Sequence, residues 1–562
     1  MQIGDAFKVW LDDSADRRFL LCFRRIVAVV RHPHERCAAV DREAHLRQIG
    51  CQRDNAGWRC LKRDGSPKVV GHGKTDALVL WLFGAARKEQ TRTQKCENDL
   101  PLEELLREHG AAIYSVTHEE ASIGMGHRTL HFHELSVILR RVMDKFIILG
   151  GKKLHGTVHV SGAKNAALAL MPATLLASGK YEFSNTPDLR DVATMSKLLQ
   201  WMGVDVRRDN HALSINTFRV NKLEAPYEHV KRMRASIYVF GPLIARYGHA
   251  KVSMPGGCAW GPRPVNLHIE GIRKLGATVD LEAGYIVARA KRLKAARITF
   301  DVSSVGATGN VMMAAVLARG TTLIQNAAAE PEIEALGRFL TKMGARIDGL
   351  GTNRLEIEGV DALHPANEAM IPDRIEAGTF LVACAVAGGS IKVARCNPRH
   401  LTAVLSKLEE AGATLSVGED FVGIKSPRRV LPVNVTTAVY PGFPTDMQAQ
   451  WIVLMALCHG SAVVADAIYF DRFKHVPELI RLGANIKLNE NIAIVSGVNR
   501  LAGAKVMSTD LRASASLILA GLAARGATEV LRVYHIDRGY EKIEKKLQSL
   551  GADIARVSGQ EY

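Results

Sequence analysis

The 562-residue sequence lacks several features that would place it in a membrane or in an oxidising compartment. It contains no run of about 18 uninterrupted apolar residues, the length that a transmembrane helix requires. The start carries the charged residues Asp5 and Lys8, and no signal-peptide core with a small-residue cleavage site follows. The nine cysteines are an odd number and include no Cys-x-x-Cys, which argues against a disulfide framework and a zinc site. We therefore expect a cytoplasmic protein that binds no metal.

Aromatic residues are also scarce, at 6% of the chain, although the net charge is +17. A protein that binds nucleic acid would be expected to carry basic tracts interleaved with aromatic residues. Here Lys and Arg are spread along the chain without such tracts. A basic cleft for small anionic substrates accounts better for the charge. The sequence thus predicts small-molecule substrates and no nucleic-acid or membrane partner. We also expect a monomer.

The chain does contain a repeated pattern, in which a helical segment ends at a Gly that is followed by Ala or Val. The pattern occurs six times, and the glycines are 73, 68, 68, 71 and 68 residues apart. The glycines are Gly203, Gly276, Gly344, Gly412, Gly483 and Gly551. Such a fixed period indicates one supersecondary unit that is used repeatedly. The six copies cover roughly residues 149–557, and at ~100–200 residues per domain they suggest two domains of three units each.

The third unit is the clearest example of the pattern. Residues 308–317 form an apolar run typical of a helix, and residues 321–324 follow as a strand. Apolar residues recur at helical spacing over residues 332–343, and two alternating segments, 346–348 and 354–357, indicate half-buried strands. The predicted order of helix, strand, helix, strand and strand belongs to the α/β class. The first helix of each unit is apolar almost all round, so we expect it to be buried with the other elements outside.

Residues 1–142 do not belong to the repeat, and residue 143 is predicted to open the strand of the first unit. This segment holds five of the nine cysteines and nine of the twenty histidines, without the spacing of metal ligands. Two interpretations are open. Met143 is the real start and the preceding residues are mis-assigned upstream coding sequence, or the segment is an added regulatory or partner-binding domain.

The starts of the six first helices carry the first functional signal. Four of them hold Lys or Arg, namely Lys164, Arg234, Arg374 and Arg512, although a helix N-terminus prefers acidic residues. Bound phosphates and carboxylates would supply the missing negative charge, so these cations predict an anion-binding cleft. The fifth start holds Asp446, a single carboxylate among the cations. It is a candidate general base, and the alternative is that it serves as a helix N-cap.

The second functional signal is the segment of residues 255–264, which reads PGGCAWGPRP. Three Gly and three Pro in ten residues exclude a helix or a central strand, so we expect Cys258 on an exposed loop. Nearby Arg263 would favour the thiolate, whereas a bound phosphate would oppose it, and such a thiol can donate a proton or be alkylated. The cysteines within apolar segments are instead expected in the core, namely Cys384, Cys396 and Cys458.

At these residues the chain resembles the UDP-N-acetylglucosamine 1-carboxyvinyltransferases, which are enolpyruvyl transferases. Six motifs occur in the same order and at matching spacing, at residues 161–167, 233–236, 255–258, 443–450, 510–514 and 535–540. The resemblance covers about residues 143–557. It implies two inside-out α/β barrel domains that close on a cleft. The first domain would comprise residues 164–370, and the second would comprise residues 143–163 and 371–562.

The resemblance also implies a reaction without metal or cofactor. The enolpyruvyl group of phosphoenolpyruvate would move to the 3-hydroxyl of UDP-N-acetylglucosamine with release of phosphate, which is the first committed step of peptidoglycan synthesis. Cys258 would protonate the methylene carbon, Asp446 would take the proton of the attacking hydroxyl, and Lys164 would take part in catalysis. Phosphoenolpyruvate would be held by Lys164, Asn165, Arg263, Arg472 and Arg538. The nucleotide sugar would be held by Asn165, Arg234, Arg263, Pro264, Val265, Asn266, Leu267, Ser304, Val305, Gly306 and Asp446, and Arg374, Asp510 and Arg512 would line the same cleft.

Two other functions remain open from the sequence. One is an enolpyruvyl transferase that acts on shikimate 3-phosphate, which the loop around Cys258 disfavours. The other is a non-catalytic paralogue that binds nucleotide sugars or nucleic acid, which the presence of every candidate catalytic residue disfavours. The chain departs from the family at Asn266, where an Asp commonly lies beside the uridine, and at Trp260 and Pro262, which make the cysteine loop bulkier and stiffer.

Overall fold

The structure is a computed structural model that describes residues 143–231, 233–254 and 265–559, together with four short strands within residues 51–131. The chain divides into two compact units, of which the smaller comprises residues 1–142 with Tyr562 and the larger residues 143–561. In the smaller unit, β1 (Cys51–Asp54) pairs antiparallel with β2 (Gly57–Cys60). In the same way, β3 (Ser122–Met125) pairs with β4 (Arg128–His131). The remainder of residues 1–142, and with it the choice between the two interpretations of this segment, lies outside the described residues.

The described residues of the larger unit form six four-stranded sheets. Their strands are β5 (Met143–Leu149), β6 (Leu154–His159), β7 (Lys180–Ser184), β8 (Asp205–Asp209), β9 (Ala212–Asn216), β10 (Glu224–Ala225), β11 (His249–Ser253), β12 (Thr278–Glu282), β13 (Tyr285–Arg289), β14 (Arg297–Thr299), β15 (Thr321–Gln325), β16 (Arg346–Asp348), β17 (Arg354–Glu358), β18 (Glu368–Ala369), β19 (Gly389–Ala394), β20 (Thr414–Val417), β21 (Phe421–Lys425), β22 (Val435–Thr437), β23 (Ser461–Asp466), β24 (Asn485–Asn489), β25 (Ile492–Ser496), β26 (Lys505–Met507), β27 (Ala527–Leu531) and β28 (Asp553–Gly559). The strand orders are β18-β7-β9-β8, β10-β11-β13-β12, β14-β15-β17-β16, β6-β19-β21-β20, β22-β23-β25-β24 and β26-β27-β5-β28.

Helices connect these strands. The α-helices are α1 (Lys164–Ala173), α2 (Arg190–Trp201), α3 (Tyr227–Val230), α4 (Phe240–Tyr247), α5 (Asn266–Lys274), α6 (Val305–Ala315), α7 (Pro331–Lys342), α8 (Arg374–Ala387), α9 (Thr402–Glu410), α10 (Gln448–Met455), α11 (Val476–Arg481), α12 (Leu511–Ala523) and α13 (Ile543–Ser549). Short 3-10 helices lie at Thr174–Leu176, Arg234–Val239, Pro398–His400, Thr445–Met447 and Val533–Arg538. In the part of the chain that the structure describes, no helix has both the length and the apolar character needed to cross a bilayer.

The third unit follows the predicted order of elements, from α6 through β15, α7 and β16 to β17. As its apolar sequence predicts, α6 is buried at every residue from Ala307 to Ala315. One element was not predicted, since β14 precedes the helix and pairs parallel with β15. Each of the six sheets has such a parallel strand, and five of these strands are only two or three residues long. A segment this short shows no detectable period in the sequence.

The repeated glycines end the second helix of each unit. Their φ angles lie between 89° and 103° at Gly203, Gly276, Gly344, Gly412, Gly483 and Gly551. Only glycine adopts this backbone conformation without a steric cost, and it is the usual conformation of the residue that follows a helix. The period in the sequence therefore reflects one helix ending that the fold uses six times.

The prediction that residue 143 opens the first unit was wrong. Strand β5 lies between β27 and β28, so it completes the sheet of the last unit, and Lys145 Nζ donates to Glu529 Oε2 on β27 at 2.7 Å. Local periodicity identifies a strand but carries no record of a partner several hundred residues away. In residues 143–559, as far as they are described, the six sheets are hydrogen-bonded separately and close no barrel.

The buried apolar side chains form two clusters, which we call the cores of the first lobe and of the second lobe. The first contains residues from 163 to 370, and the second contains residues from 146 to 160 and from 375 to 554. The chain passes between the lobes twice, and the two passages are hydrogen-bonded to each other. Ala163 N donates to Ile371 O at 2.6 Å, and Asp373 N donates to Ser161 O at 2.9 Å.

This organisation predicts how the chain tolerates shortening from its N-terminus. A chain that starts at Met143 retains β5 and should melt cooperatively at the temperature of the full-length protein. A chain that starts at Gly150 lacks the strand between β27 and β28 and should fail to fold, because two sheet partners lose their backbone hydrogen bonds. Circular dichroism during heating measures both. Loss of cooperative melting on starting at Met143 would show that residues 1–142 are part of the folding unit.

Candidate functional site

The six predicted helix starts are all observed, and they place the cations of the site. Three of these cations have a protein carboxylate as partner. Lys164 Nζ lies 3.6 Å from Asp191, Arg374 Nε lies 3.2 Å from Glu332, and Arg512 Nη2 lies 2.5 Å from Asp446. The protein itself therefore supplies part of the negative charge that faces these helix starts.

Asp446 is held by two arginines at the start of the helical segment that includes α10. Its Oδ2 accepts from Arg512, and its Oδ1 accepts a 2.7 Å bond from Arg472. The carboxylate caps no helix, since neither Thr445–Met447 nor α10 has a side-chain cap. Burial alone would raise the pKa of Asp446, but Arg512, Arg472 and Lys164 hold it well below the ordinary value. The predicted N-cap role is thus absent, and the carboxylate is ionised at neutral pH.

Buried polar side chains also hold the guanidinium group of Arg512 in place. Its Nη1 donates to the Tyr540 hydroxyl at 3.0 Å, and that hydroxyl lies 2.9 Å from Thr379 Oγ1. Gln450 Nε2 donates to both hydroxyls, at 3.2 Å and 3.1 Å. All three supporting residues lie in the second lobe, and Thr379 Oγ1 also donates to the backbone oxygen of Ile375 at 2.7 Å. Such a connected buried network orients a cation rigidly.

Two further carboxylates position the arginines through the backbone or through a hydroxyl. Asp510 Oδ1 accepts from the backbone N–H groups of Arg512 and Ala513, at 2.9 Å and 3.1 Å, so this predicted cleft residue is the N-cap of α12. Arg472 Nη1 donates to Thr445 Oγ1 at 2.9 Å, and Thr445 donates to the fully buried Asp466 at 2.7 Å. Both guanidinium groups therefore reach Asp446 from fixed directions.

A second carboxylate, Asp191, joins Lys164 of α1 to Arg538 of the other lobe. Arg538 donates to it twice, from Nε at 2.9 Å and from Nη2 at 3.3 Å. Burial lowers the pKa of Lys164, and Arg512 and Arg538 lower it further, while Asp191 opposes them. The structure thus gathers three predicted cations of the phosphoenolpyruvate site, Lys164, Arg472 and Arg538, around the two carboxylates.

The first-lobe part of the predicted site is formed by the start of α6. Ser304 caps this helix through a 3.3 Å bond from Ala307 N, and Tyr238 donates to Val305 O at 3.3 Å. Gly306 packs against His268, since a Cβ at Gly306 would lie 3.1 Å from the imidazole ring. Burial lowers the pKa of His268 to about 3, and the charge of Arg234 lowers it as well. His268 is therefore neutral, and residues 304–306 offer a ligand backbone groups and no side-chain charge.

The other predicted residues have separate positions. Asn165 is the second residue of α1 and is half-buried, while buried Val265, exposed Asn266 and half-buried Leu267 form the start of α5. Arg374 contacts Glu332 of the first lobe and also lies 5.5 Å from the centroid of the Tyr440 ring. The predicted site residues Cys258, Arg263 and Pro264 lie outside the described residues, as do Trp260 and Pro262.

Sequence reasoning missed Asp191, Glu332 and the support of Arg512. An acidic residue in the first turn of a helix is common and attracts no attention, which applies to both Asp191 and Glu332. The polar residues Thr379 and Gln450 inside apolar helices were the available signal for a buried network. In the described ranges, no group of three or more His, Cys, Asp or Glu side chains is arranged as a metal site.

Comparison with known proteins identifies close relatives over almost all of the larger unit. A family model described as EPSP synthase (3-phosphoshikimate 1-carboxyvinyltransferase) matches residues 148–547. The UDP-N-acetylglucosamine 1-carboxyvinyltransferase of Chloroherpeton thalassium is 58% identical over 423 residues, which are 75% of this chain and 99% of the relative. The enzyme of that name from Myxococcus xanthus is 54% identical over 417 residues, which are 74% of this chain and 99% of the relative.

Two solved structures share the fold. The enolpyruvyl transferase NikO from Streptomyces tendae has a TM-score of 0.68 and 26% identity, with 74% of this chain and 99% of that chain covered. An EPSP synthase from Acinetobacter baumannii has a TM-score of 0.60 and 20% identity, with 74% and 100% covered. The mixed α/β repeat is therefore the fold of the enolpyruvyl transferases.

The ion pairs of Asp446 predict a measurable effect on stability. In Asp446→Asn, two guanidinium groups that are less than a tenth exposed lose their counter-charge. The free energy of unfolding should fall by about 3 kcal/mol at neutral pH, which is typical when one partner of a buried ion pair is removed. Because the pKa of Asp446 is lower in the folded state, its charge stabilises the fold at neutral pH, and this contribution disappears as the pH falls below about 4.

The matched control is Asp361→Asn, which removes an exposed ion pair with Arg292. This change should alter the free energy of unfolding by less than about 1 kcal/mol. Urea unfolding of both variants and of the wild type at pH 7 and at about pH 3, below the ordinary pKa of an Asp, measures the difference. Equal effects of the two substitutions at pH 7 would show that the Asp446 pairs do not stabilise the fold.

Proposed function

Because the chain belongs to the family of the UDP-N-acetylglucosamine 1-carboxyvinyltransferases, we propose that it transfers the enolpyruvyl group of phosphoenolpyruvate to the 3-hydroxyl of UDP-N-acetylglucosamine. Phosphate is the second product, and the reaction is the first committed step of peptidoglycan synthesis. The observation that carries this proposal is an ionised carboxylate, Asp446, fixed by two arginines and close to Lys164. This arrangement provides an acceptor for a hydroxyl proton beside cations for an anionic substrate.

The cations bind phosphoenolpyruvate and stabilise the leaving group. Lys164, Arg263 and Arg472 hold the phosphate together with Asn165, and Arg538 holds the carboxylate. Hydrogen bonds hold Arg472 and Arg538 in place before the substrate arrives. Fixed cations in a site that is shielded from water stabilise charge on a departing phosphate without a reorganisation cost.

Cys258 acts as the general acid. It donates a proton to the methylene carbon of phosphoenolpyruvate, and the adjacent carbon becomes an oxocarbenium-like centre. The 3-oxygen of the sugar forms a bond to that carbon and gives a tetrahedral intermediate. The carbon–oxygen bond to phosphate then breaks, and its electron pair leaves with the phosphate. The methyl group formed in the first step returns a proton to the Cys258 thiolate, which restores the double bond in the product.

Asp446 accepts the proton of the attacking hydroxyl. The depressed pKa makes this carboxylate a weak base. A weak base is sufficient here, because a hydroxyl that attacks a cationic carbon becomes strongly acidic as the bond forms. The two arginines keep the carboxylate ionised and oriented until that moment, so they contribute positioning as well as charge.

The two lobes correspond to two inside-out domains that close over the substrates. The first domain comprises residues 164–370, and the second comprises residues 143–163 and 371–562. The start of α6 at residues 304–306 and the start of α5 at residues 265–267 bind the nucleotide sugar together with Arg234 and Pro264, and Arg374, Asp510 and Arg512 line the same cleft. In support of this role, residues 304–306 present a capped helix start beside a neutral histidine.

A phosphate-release assay tests the function. With phosphoenolpyruvate alone the enzyme should release little phosphate, with UDP-N-acetylglucosamine added it should turn over, and with shikimate 3-phosphate instead it should not. Asp446→Asn should reduce turnover by ~10²-fold or more, a typical contribution of an acid–base residue. Turnover with shikimate 3-phosphate, or phosphate release that does not depend on any acceptor, would contradict the proposal.

Cys258 should be alkylated selectively by fosfomycin, a phosphonate epoxide that inhibits the family in this way. Three other cysteines are buried, and burial raises the thiol pKa to about 11 for Cys384 and Cys396 and also raises that of Cys458. They should remain unmodified in the folded protein, because neither a thiolate nor access is provided. Peptide mass mapping after treatment identifies the modified residue.

Two variants distinguish the role of Cys258 as a proton donor from its reactivity as a nucleophile. Cys258→Asp retains a protonatable group, so it should keep some turnover and escape alkylation, whereas Cys258→Ala should lose most turnover. Normal turnover of the alanine variant, or modification of a core cysteine while Cys258 is unmodified, would remove Cys258 from the mechanism.

A further inference from the structure

Asp191 is a buried carboxylate placed between cations of both lobes. It is the second residue of α2 in the first lobe, and its side chain is 5% exposed. One of its partners, Lys164, belongs to the same lobe, at the start of α1. The other, Arg538, belongs to the second lobe and lies 347 residues away in sequence. An aspartate in the first turn of a helix is common, but one that bridges two lobes is not explained by the helix alone.

The geometry of the contact with Arg538 is that of a fork. Nε reaches one carboxylate oxygen at 2.9 Å, and Nη2 reaches the other at 3.3 Å. Two parallel bonds of this kind fix the plane of a guanidinium group as well as its position. The Arg538 side chain is 31% exposed, and the two bonds restrict the rotamers that it can adopt. Lys164 Nζ lies 3.6 Å from the Oδ2 that also accepts from Nη2, so one carboxylate holds both cations.

The charges of the two lobes make this anchor necessary. Lys164 lies close enough to Arg538 and Arg512 for both to lower its pKa, so the cations repel one another where the lobes meet. A carboxylate between them offsets this repulsion and leaves the site with a net positive charge, because Lys164 and Arg538 together carry two charges against the one of Asp191. The site can therefore assemble before an anionic substrate arrives and still attract it.

We propose that Asp191 is a positioning residue that assembles the phosphoenolpyruvate site from the two lobes by holding Lys164 and Arg538 on one carboxylate. The inference rests on the proposed function, which assigns these two cations to phosphoenolpyruvate. Asp191 itself touches no substrate atom. It acts through the cations that it orients, so its effect falls on the anionic substrate and much less on the nucleotide sugar.

The test is Asp191→Asn, which keeps the shape of the side chain and removes its charge. The KM for phosphoenolpyruvate in the phosphate-release assay should rise by about tenfold or more, because the cations that bind this substrate lose the charge-assisted bonds that orient them. The KM for UDP-N-acetylglucosamine should change by less than about threefold. Asp191→Glu restores the charge one methylene further out and should recover part of the affinity for phosphoenolpyruvate.

A double-mutant cycle with Arg538→Lys distinguishes positioning from a general loss of stability. If Asp191 acts through Arg538, adding Asp191→Asn to Arg538→Lys should raise the KM for phosphoenolpyruvate by clearly less than it does in the wild type. The matched control is Asp188→Asn, three residues upstream, which removes an ion pair between an exposed carboxylate and the half-buried Arg208 and should leave both KM values unchanged. Melting temperatures of all variants identify any that are unfolded at the assay temperature.

Each outcome has one meaning. Equal increases in both KM values, additive effects of the two substitutions, or an unchanged KM for phosphoenolpyruvate in Asp191→Asn would overturn the inference. If the wild type releases no phosphate with both substrates present, the proposed function fails instead, and the comparison of variants is not reached. A rise confined to phosphoenolpyruvate, recovered in part by Asp191→Glu and smaller in the Arg538→Lys background, supports the proposal.

Discussion

One carboxylate, that of Asp373, joins the helix starts of the two lobes. Its Oδ1 accepts from the backbone N–H groups of Ile375 and Glu376, at 2.8 Å and 3.0 Å, and so caps α8 in the second lobe. Its Oδ2 accepts from the backbone N–H of Lys164 at 3.2 Å, at the start of α1 in the first lobe. Two helix N-termini with their partial positive charges therefore face a single buried anion. The remaining cations of the site depend on this constraint, because it brings the basic helix starts of different lobes to the same place.

Polar contacts hold in place the two chain segments that pass between the lobes. Lys546 Nζ donates to Glu376 Oε1 at 2.6 Å and to Ser161 Oγ at 2.8 Å, and Ser161 N donates to Glu376 Oε2 at 2.7 Å. Burial raises the pKa of Glu376, and Lys546 opposes the shift. Apolar packing tolerates sliding, whereas hydrogen bonds to charged groups are directional and strong only at short range. This network thus fixes the positions of the two lobes where the chain passes between them.

The sequence predicted the longer elements that repeat, and it missed the short parallel strands and the contacts that occur once. Helix starts such as those at Lys164 and Arg374 were predictable, because six copies of one unit allow comparison, and the terminal glycines such as Gly344 have a backbone reason to recur. The position of β5 was not predictable, since its partners lie at the other end of the chain. In the site, the cations were predictable because Lys and Arg are unusual at a helix N-terminus. Their carboxylate partners were not predictable, because an aspartate such as Asp191 is common at that position and contacts its partners only through the fold.

The position of β5 affects the order in which the two lobes can fold during synthesis. The first lobe is a continuous stretch of chain, so it can fold as soon as it leaves the ribosome. The second lobe needs β5, which leaves the ribosome before the rest of that lobe. Lys145 of β5 pairs with Glu529, 384 residues later. At ~5–20 residues per second, synthesis of that interval takes roughly 20–80 s, during which the strand has no partner. Its apolar residues Phe146 and Ile148, fully buried in the finished protein, lack the sheet that covers them until β27 has been made.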